Sequence, residues 1–391
     1  MPEYTYLIVG GGMAAEAALR GIREIDTAGT VGMVSDEPHP PYNRPPLSKG
    51  LWKDRTVDEI WRRADDLAAE LHLRRRIVAL DLERSEATDE QGEVYRFKKL
   101  LLATGCTPRR LPFGQEDILY YRTLEDYYRL RSQAEHGERF AVIGGGFIGS
   151  EIAAALVMNG KSVSMLFPEA GIGGRLFPPE LARFLVDFYR GKGVDVRPGE
   201  GVVGLERRGQ ELRLHLQSGE TLMVEGVIAG IGVSPNSELA AQAGLRTEDG
   251  IVVDELGQTS APGVYAAGDV ARFYNPALGS WLRVEHEDHA NTHGRLVGRN
   301  MAAAHDPYHH LPFFYSDLFE LGYEAVGILD SRLQTMSDWK DPFRQGVVYY
   351  LEAGRVRGVL LWNTWGKVEE ARALIAEPGP FRPQDLRGRI G

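Results

Sequence analysis

Two glycine-rich turns in this sequence have the residue spacing of a dinucleotide-binding site. The motif residues are Gly10, Gly12 and Ala15 in the first turn and Gly144, Gly146 and Gly149 in the second. Each turn follows an apolar strand and opens a helix, so a pyrophosphate can approach the backbone and meet the free N–H groups of the helix N-terminus. One such motif is a weak signal, because glycine-rich turns also occur without a nucleotide. Two copies predict two dinucleotide cofactors held close enough to exchange electrons.

Acidic residues follow the second strand of each predicted unit, where ribose hydroxyls are bound. In the first unit we choose Asp36 over Glu37, because Asp36 lies nearer the end of strand 30–34; a solvated loop acid is the alternative. In the second unit Glu169 would accept from a ribose 2′-hydroxyl and repel a 2′-phosphate, which favours NADH over NADPH. Arg175, close by in a glycine-rich loop, counts against a strict preference.

Two further segments can place charged groups at a cofactor. Segment 38–49 contains five prolines, and a loop of this stiffness can hold Arg44 and Lys49 in set positions. A proline-rich surface connection with both cations in solvent is the alternative. A strand of small and apolar residues ends at Gly268 and Asp269, so a carboxylate lies beside a point of close backbone approach. An acceptor for cofactor hydroxyls is expected there.

Composition excludes several classes of protein. The chain has 391 residues, enough for two or three domains, and its net charge of −10 argues against a nucleic-acid partner. Its single cysteine, Cys106, leaves no dithiol pair, which excludes flavoenzymes that reduce disulfides through a protein dithiol. No apolar run is long enough to cross a bilayer, so no membrane insertion is expected. A strand begins at Tyr4 with no room for a signal peptide, and the cytoplasm is the predicted location.

The elements that must position these residues alternate between strands and helices, as in an α/β fold. Segments 94–97 and 99–103 are predicted as separate strands. The alternating apolar pattern of 211–224 predicts an antiparallel insertion. Near the C-terminus a hairpin at 346–361 and a helix at 367–375 predict a small α+β domain.

Six motifs, matching in order and spacing, resemble one family. They are PYNRPPLSK at 41–49, LLATGCTPR at 101–109, GGGFIGSE at 144–151, VYAAGD at 264–269, VEHEDHA at 284–290 and GYEAVG at 322–327. The set resembles the FAD-dependent NADH oxidoreductases of the apoptosis-inducing-factor type. The wider group includes putidaredoxin reductase, rubredoxin reductase and the ferredoxin reductases of aromatic-ring dioxygenases. The likeness extends from about Tyr4 to the closing helix.

The resemblance implies a glutathione-reductase-like architecture. The expected fold class is α/β, with two Rossmann-like dinucleotide-binding domains and a C-terminal α+β domain. The expected bounds are 1–113 and 233–310 for the two parts of the FAD-binding domain, 114–232 for the NADH-binding domain and 311–391 for the C-terminal domain.

The resemblance also implies a catalytic set. Lys49 matches the family lysine beside flavin N5, and Glu151 matches its glutamate partner; a cation there stabilises negative charge on the reduced ring. Phe147 matches an aromatic that lies against the flavin on the nicotinamide side and moves aside for NADH. The structural alternatives are a first-turn acid favoured by the helix dipole for Glu151 and a core side chain for Phe147.

Other positions are expected to contact FAD or NADH. Glu285 and His286 resemble a segment at the pyrimidine edge of the flavin, with His286 as a donor; a purely structural histidine is the alternative. Tyr315 departs from the tryptophan of close relatives, and no residue is assigned to a metal. The complete predicted cofactor-binding set is Gly10, Gly12, Ala15, Asp36, Arg44, Lys49, Thr104, Gly105, Arg109, Gly144, Gly146, Phe147, Ile148, Gly149, Glu151, Glu169, Gly232, Gly268, Asp269, Glu285, His286 and Tyr315.

The function implied by the resemblance is that of an NADH:acceptor oxidoreductase. Hydride passes from NADH to flavin N5, and electrons leave singly to a small iron–sulfur carrier such as a ferredoxin or rubredoxin. The alternative is a slow NADH oxidase that acts as a redox-responsive binding protein and changes its homodimerisation or partner affinity. Direct oxidation by oxygen stays open as a third interpretation. The overall negative charge opposes an acidic ferredoxin, but a local patch at Arg295 and Arg299 would suffice for docking.

Overall fold

The chain divides into two units, each assembled from segments that are distant in sequence. The structure is a computed structural model that describes residues 1–114 and 116–391, with all their side chains except those of 65 and 66. The first unit contains Met1–Arg44, Thr56–Thr107 and Ser234–Pro312, and the second contains Pro45–Arg55, Pro108–Val233 and Phe313–Gly391.

A seven-stranded sheet forms the centre of the first unit within the described residues. Strand Glu3–Val9 pairs in parallel with Val31–Ser35 on one side and Val94–Leu102 on the other, and Val264–Ala266 runs parallel to Val94–Leu102. The carboxyl ends of these strands lie at one edge of the sheet, which is where ligands bind in such folds. The path of the sheet, apart from Val264–Ala266, is Glu70–Leu73, Val31–Ser35, Glu3–Val9, Val94–Leu102, Glu86–Asp89 and Ile77–Asp81.

A second, smaller sheet completes the first unit, and one predicted strand break is absent. The small sheet consists of Thr247–Glu248, Gly250–Val252, Ala271–Asn275 and Ser280–Arg283. Segments 94–97 and 99–103, predicted as separate strands, form the single strand Val94–Leu102. Lys98 is exposed and continues the alternation of buried and exposed residues, so this lysine does not interrupt the ladder.

The second unit contains a parallel sheet, an antiparallel insertion and a C-terminal antiparallel sheet. The parallel sheet has the order Val194–Pro198, Ser162–Phe167, Arg139–Ile143, Gly226–Ala229 and Ile118–Tyr120. The insertion has the order Val202–Arg208, Glu211–Leu216 and Thr221–Val224, as the alternating pattern predicted. The C-terminal sheet has the order Phe313–Leu318, Leu321–Gly327, Arg355–Trp362, Gln345–Glu352 and Gln334–Asp341. Two short strands elsewhere are Cys106–Pro108 and Val233–Pro235.

The helices connect the strands and cover the sheets. They are α1 Met13–Ile25, α2 Leu124–His136, α3 Phe147–Met158, α4 Pro179–Gly191, α5 Glu238–Gln242, α6 Glu287–Met301 and α7 Val368–Ala376. Both α1 and α3 begin directly after a glycine, so each predicted glycine-rich turn joins a parallel strand to a helix. Among the residues that the structure describes, no helix has both the length and the apolar character that crossing a bilayer requires.

Candidate functional site

The first glycine-rich turn leaves the N-terminus of α1 open. Gly10 adopts a φ of 123°, and a Cβ at this position would lie 2.2 Å from the carbonyl oxygen of Ala103, so only glycine fits. Gly12 is the N-cap of α1, and no side chain caps the helix. The N–H groups of the first helical turn and the positive end of the helix dipole are therefore available to an anion.

The second turn repeats this arrangement in the other unit. Gly144 has a φ of 114°, and its Cβ would lie 2.3 Å from the carbonyl oxygen of Gly230. A Cβ at Gly149 would lie 2.0 Å from the carbonyl oxygen of Gly144, which explains the close approach of helix and turn. Gly146, the N-cap of α3, has no side-chain cap, and a Cβ there would meet no atom within 4 Å. A phosphate can approach the helix end at this open position, beside Ile148.

The two acids after strand Val31–Ser35 have different surroundings. Asp36 is 58% exposed and lies 3.4 Å from Arg76. Glu37 accepts a hydrogen bond of 2.6 Å from the Tyr42 hydroxyl and pairs with Arg44. Position along the chain favoured Asp36, whereas the contacts within the first unit place Glu37 beside the predicted FAD-binding arginine. The ribose role of Asp36 stays a prediction.

Arg44 lies over the first glycine-rich turn. Its Nη2 atom is 3.8 Å from the position that a Cβ on Gly12 would occupy, and its backbone N–H contacts Met13 Sδ at 3.5 Å. Burial opposes the charge of the guanidinium, but Tyr42, Glu37 and Asp269 raise the pKa of Arg44 above its ordinary value. Arg44 therefore carries a permanent positive charge at this turn.

Strand ends predicted to bind FAD meet the same turn. Gly268 has a φ of 74°, and a Cβ there would lie 2.6 Å from Cβ of Ala14, so the segment before Asp269 packs directly on α1. Ala15 is fully buried at the third motif position. Gly105 also has a positive φ of 65°. Thr104 anchors this strand end by donating its hydroxyl to the carbonyl oxygen of Asn236 at 2.8 Å.

The Glu285–His286 segment precedes α6 in the first unit, with Glu285 exposed and His286 half-buried. Glu285 pairs with Arg283 at 2.7 Å, so its charge is compensated. His286 is the N-cap residue of α6. Burial lowers the pKa of His286 to about 4, although the charges of Asp269 and Asp288 act in the opposite direction. The imidazole is therefore neutral near pH 7, and one of its nitrogens is a donor.

Lys49 and Glu151 form an ion pair within the second unit. Lys49 Nζ lies 2.7 Å from Glu151 Oε1, and the two side chains are 16% and 3% exposed. The Lys49 ammonium also lies 5.3 Å from the centre of the Tyr315 ring, a cation–π distance. Phe147 packs edge-on against Phe314 with ring centres 5.4 Å apart. The structure thus brings the predicted lysine–glutamate pair together with the ring of Tyr315.

The remaining predicted cofactor contacts are Glu169, Gly232 and Arg109, all in the second unit. Glu169 pairs with Arg175 at 2.6 Å, and Arg175 is 80% exposed. Gly232 has a φ of 95°, and its carbonyl oxygen accepts from the backbone N–H of Arg109 at 2.9 Å. Glu169 is therefore an acid whose charge an adjacent arginine already offsets.

Sequence reasoning missed two serines that contact Glu151, and the docking role of one basic patch stays a prediction. Ser48 and Ser316 each donate to Glu151 at 2.5 Å. The signal for Ser316 was a polar residue on the buried face of a strand, since buried hydroxyls are hydrogen-bonded. The suggested basic patch is offset within the chain, because Arg295 pairs with Glu24 at 2.6 Å and Arg299 pairs with Glu24 and Asp306 at 2.9 Å.

Comparison with known proteins matches two family models to this chain. Residues 4–294 match the model described as pyridine nucleotide-disulphide oxidoreductase. Residues 297–342 and 337–377 match the model described as apoptosis-inducing factor, mitochondrion-associated, C-term. Together the two models cover both glycine-rich turns and the C-terminal sheet.

Individual relatives agree with these models. The chain is 33% identical to apoptosis-inducing factor 1, mitochondrial, of Dictyostelium discoideum, over 95% of this chain and 78% of that protein. It is 34% identical to the 5,5'-dehydrodivanillate O-demethylase ferredoxin reductase subunit of a Sphingobium species, over 96% and 94% of the two chains. The solved covalent putidaredoxin reductase–putidaredoxin complex matches with a TM-score of 0.91 and 30% identity, over 98% of this chain and 95% of that one. The predicted resemblance and fold class are confirmed.

Proposed function

The chain belongs to the pyridine nucleotide-disulphide oxidoreductase family, and we propose that it works as an FAD-dependent NADH:acceptor oxidoreductase of the ferredoxin-reductase type. The dithiol chemistry in the family's description does not apply, because Cys106 is the only cysteine of the chain and is buried. Electrons must therefore pass from the flavin to an acceptor without a protein disulfide.

The observation that carries this proposal is the pair of uncapped helix N-termini. One belongs to each unit, at Gly12 and Gly146, and each follows a strand of a parallel sheet. Helix N-termini in globular proteins are normally satisfied by side chains, water or a ligand. Two such ends with G-x-G spacing fit two diphosphates, one from FAD and one from NADH.

The proposed FAD contacts lie on residues with suitable chemistry. The first glycine-rich turn and Arg44 would hold the diphosphate, and Asp269 would accept from flavin hydroxyls. Asp36 stays the proposed ribose acceptor, with Glu37 as its competitor because of its contacts with Arg44 and Tyr42. Neutral His286 would donate to the pyrimidine edge.

The proposed catalytic residues set charge and access. When bound, FAD accepts a hydride from NADH and passes electrons on one at a time. Lys49 would direct its ammonium toward the N5 end of the ring, with Glu151 as the counter-charge at this largely buried position. Phe147, which is partly exposed, would cover the nicotinamide side and exclude water until NADH enters.

We propose NADH as the preferred nucleotide because of Glu169. A carboxylate at the end of the second strand accepts from a ribose 2′-hydroxyl and repels a 2′-phosphate. The contact with Arg175 at 2.6 Å weakens that repulsion, so the preference is expected to be moderate.

The proposed acceptor is a small iron–sulfur protein. Two similar proteins support this: one is named a ferredoxin reductase subunit, and one was solved in covalent complex with putidaredoxin. The test is a panel of acceptors, with a ferredoxin, a rubredoxin, a quinone and oxygen compared under NADH and under NADPH. We expect the highest turnover with an iron–sulfur carrier and NADH. Turnover that is highest with oxygen or quinone would overturn the choice of acceptor.

A second function is supported by the C-terminal match to the apoptosis-inducing-factor model. In this alternative the chain is a slow NADH oxidase that changes its dimerisation or partner affinity on reduction. Light scattering before and after anaerobic addition of NADH separates the two functions. A mass that doubles with NADH, together with slow turnover for every acceptor, favours the alternative. An unchanged mass with fast turnover favours the reductase, for which a cytoplasmic location is proposed.

A further inference from the structure

Glu151 receives more hydrogen-bond donors than an ion pair requires. Ser48 donates to its Oε2 atom at 2.5 Å, Ser316 donates to its Oε1 atom at 2.5 Å, and Lys49 lies 2.7 Å from Oε1. Both serines and Glu151 are buried, with 6%, 0% and 4% of each residue exposed. Both carboxylate oxygens therefore have a neutral donor in addition to the lysine.

Ser48 is held in place by the turn that carries it. The 3-10 turn Pro45–Ser48 directly precedes Lys49. The carbonyl oxygen of Leu47 accepts from the Trp52 indole at 2.9 Å and also from the Tyr121 hydroxyl. These contacts fix the backbone on the N-terminal side of the Ser48 hydroxyl, so its direction does not depend on Lys49.

Ser316 is oriented from a different segment. It lies on the buried face of strand Phe313–Leu318, between Phe314 and Leu318, and its cross-strand neighbour is Tyr323. Burial and the charge of Glu151 raise the pKa of Tyr323 well above its ordinary value, while a hydrogen bond with Ser316 acts against them. Tyr323 therefore keeps its proton. The hydroxyls of Tyr323 and Ser316 thus connect the C-terminal sheet to the Glu151 carboxylate.

We propose that Ser48 and Ser316 are positioning residues that orient the Glu151 carboxylate and satisfy its oxygens, so that Lys49 keeps N–H bonds directed at the bound cofactor. This inference rests on the proposed function, because the placement of the Lys49 ammonium at the flavin ring is part of that proposal. An ammonium has three donors and a carboxylate about four acceptor positions. Without the hydroxyls, Lys49 alone would have to satisfy Glu151, and its ammonium would turn toward the carboxylate.

A double-mutant cycle tests the hydrogen bonds without any cofactor. Ser316→Ala and Ser48→Ala are each measured in the wild type and in a Lys49→Met/Glu151→Leu background, where apolar side chains replace the ion pair. We expect each serine variant to lower the urea midpoint in the wild type and to lower it less than half as much in the apolar background. Thr364→Val is the control, because Thr364 donates to Gly346 and Trp362 carbonyl oxygens in the same sheet and its effect should be equal in both backgrounds. Equal effects for the serines would overturn the proposal.

The flavin midpoint potential tests the positioning role. FAD-loaded variants are photoreduced at pH 7 in the presence of reference dyes, so NADH is not needed. We expect a lower midpoint potential in each serine variant, because an ammonium turned toward Glu151 stabilises the negative charge of the reduced ring less. An unmoved potential would mean that the hydroxyls are only structural, and it would overturn the inference.

The two failures are distinguishable. If NADH does not reduce the wild type but the midpoint potential from photoreduction falls in the serine variants, the proposed function fails and the positioning role stands. If NADH reduces every variant and the midpoint potential does not move, the function stands and the positioning role fails. Ser48→Ala, on a short turn rather than in the sheet, provides the result if Ser316→Ala does not fold.

Discussion

Each of the two helices that follow a glycine-rich turn buries a glutamate in its first turns, and the two glutamates have different partners. Glu16 in α1 is fully buried and pairs with two guanidiniums, Arg20 and Arg62, the latter at 2.5 Å. Glu151 in α3 has one ammonium and two hydroxyls instead. The first turns of the two helices, with glutamates at neighbouring positions after the N-cap glycine, therefore differ in their electrostatics.

The difference follows from the chemistry of the cations. A guanidinium is planar, always charged and able to hold a carboxylate with fixed geometry, so two of them make Glu16 an anchor between α1 and the segment of Arg62. An ammonium is a compact charge with rotatable donors. Lys49 can therefore neutralise Glu151 and still present donors elsewhere. We infer that the contacts of Glu16 with Arg20 and Arg62 stabilise the fold, whereas the Lys49–Glu151 pair serves the cofactor.

The largest effect is expected for Glu16→Gln. The amide keeps one acceptor oxygen but turns an NH2 group toward the second guanidinium, so a charge loses its partner. We expect the free energy of unfolding to fall by about 3 kcal/mol, with the rate of flavin reduction in folded, FAD-loaded protein unchanged. Urea denaturation and anaerobic stopped-flow reduction measure these quantities. Glu151→Gln is the matched variant, and slowed reduction in both would remove the distinction between the two glutamates.

The next effect concerns Lys49→Met. Loss of the ammonium removes a positive charge proposed to stabilise the reduced ring, and we expect flavin reduction by NADH to slow by about 10²–10³-fold. Lys53→Met, in the same segment but exposed, is the control and should reduce at the wild-type rate. A wild-type rate for Lys49→Met would leave Glu151 and Lys49 with no role beyond structure.

The sequence alone predicted those features that depend on neighbouring residues in the chain. Glycine spacing predicted both turns, because a positive φ and close approach leave no other residue at Gly10 and Gly144. Linear position could not distinguish the contacts of Asp36 from those of Glu37, which lies beside Tyr42 and Arg44. The ribose role of Asp36 stays a prediction.

Long-range contacts were beyond sequence reasoning. Ser316 reaches Glu151 across 165 positions of the chain, and only its placement on the buried face of a strand hinted at a partner. The charges of Arg295 and Arg299 were visible, but not their pairing with Glu24 of α1. The packing of distant segments determines which of these side chains meet, and residue spacing along the chain does not predict that packing.

Acid should weaken the first unit through its buried histidines. Burial lowers the pKa of His289 to about 3 and that of His293 well below its ordinary value. The unfolded chain therefore takes up more protons below pH 6.5, and stability falls with pH from there toward the lower folded values. We expect His293→Phe to reduce the loss of stability between pH 6.5 and 5 by about 1.5 kcal/mol, measured by urea denaturation at each pH. A loss of stability in His293→Phe equal to that of the wild type between pH 6.5 and 5 would contradict this.

The smallest effect is expected for substitutions at Glu169 and Arg175 in the second unit. Glu169→Ala removes the repulsion of a 2′-phosphate, and we expect the ratio of kcat/KM for NADH to that for NADPH to fall by about tenfold. Arg175→Ala leaves Glu169 without its partner at 2.6 Å and should raise the same ratio. Steady-state kinetics with both nucleotides measure the ratio, and an unchanged ratio in Glu169→Ala would remove this residue from cofactor choice.

The most direct test of one chain holding two redox dinucleotides is an anaerobic titration of the purified, FAD-loaded protein with NADH. We expect one flavin per chain and complete bleaching of its absorbance near one equivalent of NADH. A protein that binds no flavin, or whose flavin absorbance persists in excess NADH, would contradict the account.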